Sequence, residues 1–180
     1  MTNIALLDQE KRHLADLLEA IQRSVYFLDA ADGSLSWPIE AALLEQHKKD
    51  KTLFGALAAI NERFAKLQDT LGAAMRHATW LVGEPADTFL KALAFYEKLG
   101  VIDSIDAWQT CRAARNLAAH AYETDYASIA EHFNTLHEMQ PVLYRAARAF
   151  VAHCRDTLDI LPASSDFASE FDDIVERSYQ

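Results

Sequence analysis

Eight residues carry the chemistry that stands out in this sequence. Arg115 to Tyr122 reads Arg-Asn-Leu-Ala-Ala-His-Ala-Tyr, which places a permanent cation, an amide, an imidazole and a phenol on a background of alanine. The planar fork of an arginine matches the paired oxygens of a phosphate. A histidine can take or give a proton near neutral pH. A cation beside a proton shuttle is what cleavage of RNA without a metal requires. The ribose 2′-hydroxyl must lose a proton, the leaving oxygen must gain one, and the charge on the phosphoryl oxygens must be offset. Arg115 and His120 are therefore the candidate catalytic pair. Asn116 lies four residues before His120, one helical turn away, and is placed to hold the imidazole. The same spacing also fits a plainer helix with a surface arginine, a half-buried histidine and an interfacial tyrosine.

The element that carries these residues reads as a helix from Asp103 to Tyr122, capped by Asp103 or Ser104. At about 100° per residue, Arg115 and Tyr122 share a face, whereas Arg115 and His120 point roughly 140° apart. One copy makes a poor closed pocket, and two copies across a twofold axis make a better one. Ala107, Cys111, Ala114, Ala118 and Ala121 form a stripe of small side chains that lets another backbone approach. Trp108, Arg112, Arg115 and Tyr122 fall on an adjoining face. Arg112, with Arg145 and Arg148 from a later helix, is a candidate RNA contact. Trp108 reads as a core anchor rather than a stacking platform.

The remaining elements follow from apolar periodicity. Residues 5 to 30 read as a first helix, with Leu14, Leu18, Ile21, Val25 and Leu28 at 4-3-4-3 spacing. Gly33 is its candidate C-cap. Trp37-Pro38 sits in the connection, and Glu40 to Gln46 reads as a short helical piece. A long helix from about His47 to Val82 keeps a bundle seam through Leu53, Leu57, Ile60, Phe64, Leu67 and Leu71. A shorter helix, Phe89 to Leu99, is closed by Gly100. Asp125 caps a last long helix from Tyr126 to about Leu158, which Pro141 is expected to bend. The expected fold is all-α, an antiparallel up-and-down bundle of four main helices plus a short one. Residues 1–50 form an N-terminal helix and connection packed on the bundle, 51–160 the bundle itself, and 161–180 an acidic tail, either a frayed arm or a short docked helix.

Composition narrows the function. The 180 residues carry a net charge of −10, which speaks against a surface that coats phosphates or anionic membranes generally, but leaves room for a local basic cleft. No apolar run reaches the roughly 20 residues of a spanning helix. No basic stretch followed by an apolar one opens the chain, so a cytoplasmic protein is expected. The two cysteines, Cys111 and Cys154, have no metal-ligand spacing and read as buried free thiols. Seven histidines show no metal-binding pattern, so neither a metal nor a cofactor is expected.

Arg115-Asn116 followed by His120 and Tyr122 resembles the Arg-x4-His-x-Tyr signature of HEPN-domain proteins, in particular the HepT toxins of HEPN/MNT toxin–antitoxin pairs. Leu99-Gly100-Val101-Ile102, Trp108 and Arg115-Asn116 are similar to that family's Leu-Gly-x-Ile, Trp and Arg-Asn progression. Phe64 to Trp80 is similar to its second core helix. The resemblance spans about residues 55 to 155. It implies a metal-independent endoribonuclease toxin that works as a homodimer, with Arg115 and His120 catalytic and Asn116 supporting. It also implies that a cognate MNT-type nucleotidyltransferase antitoxin silences the toxin by transferring AMP to Tyr122. The alternative is a non-catalytic subunit that binds substrate or nucleotide for a nucleotidyltransferase.

Overall fold

The computed structural model describes residues 2–84, 87–117 and 125–178. Every regular element among them is an α-helix: α1 (Thr2–Asp32), α2 (Ala41–Gln46), α3 (Lys51–Leu81), α4 (Phe89–Lys98), α5 (Ile105–Leu117), α6 (Tyr126–Leu158) and α7 (Ala168–Arg177). The chain is an all-α bundle. Its frame is the long α1/α3 pair, with α6 packed on α3, α5 and α2.

The apolar stripes explain this packing. Leu14, Leu18, Ile21, Val25 and Leu28 of α1 are fully buried, as are Ile60, Phe64, Leu67 and Leu71 of α3. On α6, Phe133, Leu136, Leu143, Ala147, Phe150 and Cys154 complete the same cluster. Truncating any one of the large side chains to alanine removes roughly 2–5 kcal/mol. α6 runs without interruption through Pro141, whose ring removes only one ladder bond from a helix buried on both sides of it.

Helix ends are set by side-chain acceptors. Asp50 Oδ1 accepts from the amides of Thr52 and Leu53 at 2.9 and 3.1 Å, so α3 starts at Lys51 rather than at His47. Asp125 Oδ1 accepts from Ala127 N at 3.0 Å and starts α6 where expected. Gly33 is not a left-handed cap. Its N–H bonds Asp29 O at 2.8 Å and α1 continues to Asp32. The left-handed glycines are Gly83 after α3 and Gly100 after α4.

The acidic tail is a docked helix. Phe171, Ile174 and Val175 of α7 are buried against α1 and α6 and belong to the same core as the long helices. The loop after α1 is fastened to α6 by polar contacts. Asp32 takes Nδ1 of His137 at 2.8 Å and Nε2 of Gln140 at 2.7 Å, Trp37 stacks on His137 at 4.2 Å, and Asn134 exchanges two bonds with the backbone of Ile39.

Candidate functional site: an arginine cleft between α3, α4 and α5

The start of α5 is fixed from two directions. Ser104 Oγ accepts from Ala107 N at 2.9 Å, and Glu97 Oε1 of α4 accepts from Ile105 N at 2.8 Å. Ser104, not Asp103, is therefore the capping side chain. Asp103 instead pairs with Arg145 of α6 at 2.6 Å. With its start anchored, α5 turns Cys111 and Ala114 into the core and seats Trp108 against α3, where only 2% of it is exposed. Trp108 is the core anchor expected of it.

A cleft of about 470 Å³ opens beside Trp108. Its floor is Gln68 and Gly72 of α3 with Trp108 of α5, and Phe89 at the start of α4 closes one side. Gly72 gives this approach its room, and a larger residue there would make the Phe89 ring shift by a few tenths of an ångström. A Cβ there would stand 3.2 Å from Phe89 Cζ and 3.7 Å from Trp108 Cζ2. Phe89 and Trp108 meet edge to face with ring centres 6.2 Å apart. Gln68 Nε2 donates to the carbonyl of Trp108 at 3.0 Å, which ties α3 to α5 beneath the cleft. The same bond fixes the amide orientation and leaves Gln68 Oε1, on a side chain only 3% exposed, as a buried acceptor without a protein donor.

Three guanidinium groups line the cleft, Arg76 from α3 with Arg112 and Arg115 from α5, against one carboxylate, Asp69. Arg76 lies over the Phe89 ring at 5.2 Å. Arg112 is exposed. Arg115 is held by α3: its Nη1 donates to Asp69 Oδ1 at 2.5 Å and to the Ala65 carbonyl at 3.2 Å. The Arg115 side chain is 19% exposed and Asp69 64%. The contact with Asp69 is thus open to water and to competing anions, while the backbone contact aims the guanidinium along the cleft wall.

Of the residues that the sequence singled out, Arg112 and Arg115 are brought together here. Asn116 is exposed at the end of α5 and does not line the cleft. Arg145 is directed to Asp103, and Arg148 lies exposed on α6; neither is among the residues that line it. His120 and Tyr122 lie outside the described residues. Sequence reasoning missed Asp69, Gly72, Arg76 and Phe89. The signal was present: Asp69, Gly72, Ala73 and Arg76 recur at helical spacing on the face of α3 opposite its buried seam, and a glycine mid-helix marks a close approach.

Other titratable groups are accounted for by structure. His77 bonds the Glu10 carbonyl at 2.9 Å and His132 faces Asn61 at 3.3 Å. Burial pushes the Cys111 thiol up to about 11 and the Cys154 thiol up to about 12. Among the described residues, no group of three histidine, cysteine or acidic side chains is gathered so as to hold a metal ion, and no helix is long and apolar enough to cross a membrane.

No protein-family model, curated protein or solved structure matches the chain. The functional reading therefore rests on the cleft and on the sequence of the octapeptide Arg115 to Tyr122.

Proposed function

We propose that the arginine cleft binds a phosphodiester of single-stranded RNA and that the chain is a metal-independent endoribonuclease of the HEPN kind. The observation that carries this is the gathering of Arg76, Arg112 and Arg115 around one cleft with two aromatic rings, on a chain whose net charge is −10. Three fixed cations at one place on an acidic protein make a local anion site. Arginine forks match the paired oxygens of a phosphate, and the Phe89 ring beside them suits a nucleotide.

In this reading Arg112 and Arg115 offset charge on the phosphoryl oxygens. His120, five residues beyond Arg115 in the sequence, takes the proton from the 2′-hydroxyl. That oxygen then attacks the adjacent phosphorus, the bond to the 5′-oxygen breaks, and the leaving oxygen receives a proton from an imidazolium. The products are a 2′,3′-cyclic phosphate and a 5′-hydroxyl end. A homodimer would supply the two imidazoles from paired motif segments. Transfer of AMP to Tyr122 by a nucleotidyltransferase antitoxin would add charge and bulk to the motif segment and exclude RNA.

A second reading is favoured by one specific contact. Arg115 already has a carboxylate and a backbone carbonyl as partners, which suits a residue that shapes a binding site without catalysing. The chain would then be a non-catalytic subunit holding a nucleotide for a nucleotidyltransferase. Incubating a labelled single-stranded RNA with excess protein in chelator separates the two. The nuclease reading expects cleavage that Arg115→Ala and His120→Ala abolish while both variants melt as the wild type does. Intact RNA with wild-type protein, together with nucleotide binding that Arg115→Ala weakens and His120→Ala leaves alone, would favour the subunit.

A further inference from the structure

A second, larger groove adjoins the arginine cleft, and its position says what it would hold. It has a volume of about 880 Å³ and lies between the N-terminal part of α1 and the C-terminal part of α3. Leu6, Leu7 and Leu17 form one wall, and Trp80 stands on the other. Ala73 and Arg76 line both spaces, so the cleft and the groove form one trough across α3. On α3, Asp69, Ala73, Arg76 and Trp80 recur at 4-3-4 spacing and all are exposed, so this helix presents one stripe of carboxylate, methyl, guanidinium and indole.

Trp80 is 74% exposed, more than any other large apolar side chain among the described residues. A single exposed apolar residue needs no explanation. Trp80, however, shares its groove with Leu6 and Leu7, themselves 53% and 46% exposed, and begins one turn beyond an arginine of the anion site. His13 and His77 meet edge to face at 4.9 Å and add aromatic edges to the same groove. The small side chain of Ala73 leaves the passage between the two spaces open.

We propose that this groove is the subsite for the nucleobase next to the phosphate held by Arg76, Arg112 and Arg115, with Trp80 as its stacking platform. The inference rests on the phosphate reading of the cleft. Four residues, about 6 Å of helix rise, separate Arg76 from Trp80, a step that one nucleotide spans. Charge bears on the occupant: Arg76 stands at the mouth of the groove, whose one carboxylate, Glu10, lies 3.3 Å from His77, and this fits a ligand whose aromatic group is joined to an anion. Stacking of a base on an indole contributes a factor of roughly ten to a hundred in affinity, and it tolerates any base because each has a π-face.

The test compares two monoanionic diesters on the full chain, dimethyl phosphate and the non-cleavable 2′-O-methyl dinucleotide ApA, by NMR and calorimetric titration. The dinucleotide is expected to bind at least tenfold more tightly. Trp80→Leu should erase that advantage and leave the dimethyl phosphate affinity unchanged, and Trp80→Phe should keep most of it. Equal affinity of the two diesters for the wild type, or a dinucleotide affinity indifferent to Trp80→Leu, overturns the base subsite alone. Loss of wild-type self-association in Trp80→Leu, with dinucleotide affinity unaltered, overturns it in favour of a second copy of the chain on this face. Failure of both diesters to bind brings down the phosphate site together with this inference.

Discussion

Asp69 is the carboxylate that competes with any phosphate for Arg115, and its removal is the sharpest perturbation the cleft offers. Asp69→Asn keeps the shape of the side chain and the acceptor facing Arg115 but deletes the charge. Arg115 keeps its second contact, the Ala65 carbonyl at 3.2 Å, so the guanidinium stays on the cleft wall. The pair is exposed on the aspartate side, and such pairs contribute about 0.2–1 kcal/mol. A phosphate in the cleft, at about 6 Å from the carboxylate, is also relieved of a repulsion of about 0.7 kcal/mol in a water-like dielectric. Together these predict that Asp69→Asn binds a short single-stranded RNA roughly five- to fifteenfold more tightly at low salt, with the gain shrinking as salt rises. The same change should cost about 0.2–1 kcal/mol of folding stability. Fluorescence anisotropy with a 2′-O-methylated hexamer measures the first effect and urea unfolding the second. An affinity that stays level or falls would refute the reasoning, because it would mean that Asp69 positions Arg115 for its ligand or that the RNA lies elsewhere.

Further outcomes follow from the packing. Gly72→Leu should close the cleft by driving into Phe89 and Trp108, lowering stability by about 1–3 kcal/mol in urea and abolishing RNA binding. Asp32→Ala should cost about 1–3 kcal/mol, since it leaves Gln140, only 4% exposed, without the acceptor at 2.7 Å that now takes its amide; thermal unfolding checks this. Cys111 and Cys154, raised to about 11 and about 12 by burial, should resist alkylation at pH 8 until the chain unfolds. The unfolded thiols ionise from about pH 9 while the folded ones hold their protons, so the stability due to burying these neutral thiols is complete below pH 9 and is lost as pH rises towards 11. On the acid side, burial lowers the His132 and His153 pKa values, so the unfolded state takes protons first and stability should fall as pH drops below about 6.5.

The long helices were legible because their burial depends on a period that one sequence displays. The Leu14 to Leu28 stripe and the Phe133 to Cys154 stripe are buried as their spacing requires. Trp108 was legible for the same reason, lying beside Cys111 and Ala114 on the inward side of α5. The docked state of α7 could not be decided from its acidic composition, because Phe171, Ile174 and Val175 contribute only once α1 and α6 are in place to receive them. The cleft was half legible. Arg112 and Arg115 were visible as neighbours on one helix, whereas Arg76 and Asp69 belong to a helix 40 residues earlier whose outer face carries no periodic apolar signal. Arg145 looked equivalent to them by type, and a tertiary contact with Asp103 takes it elsewhere.

The most direct measurement of the central claim is the salt dependence of single-stranded RNA binding. Each phosphate contact contributes about −0.7 to the slope of log affinity against log salt for single strands. One phosphodiester held in the cleft by three arginines predicts a slope of about −0.7, brought towards zero in Arg112→Ala and further in the double variant with Arg76→Ala. A slope near zero, or a wild-type slope that neither substitution alters, would contradict the assignment of this cleft to a phosphodiester.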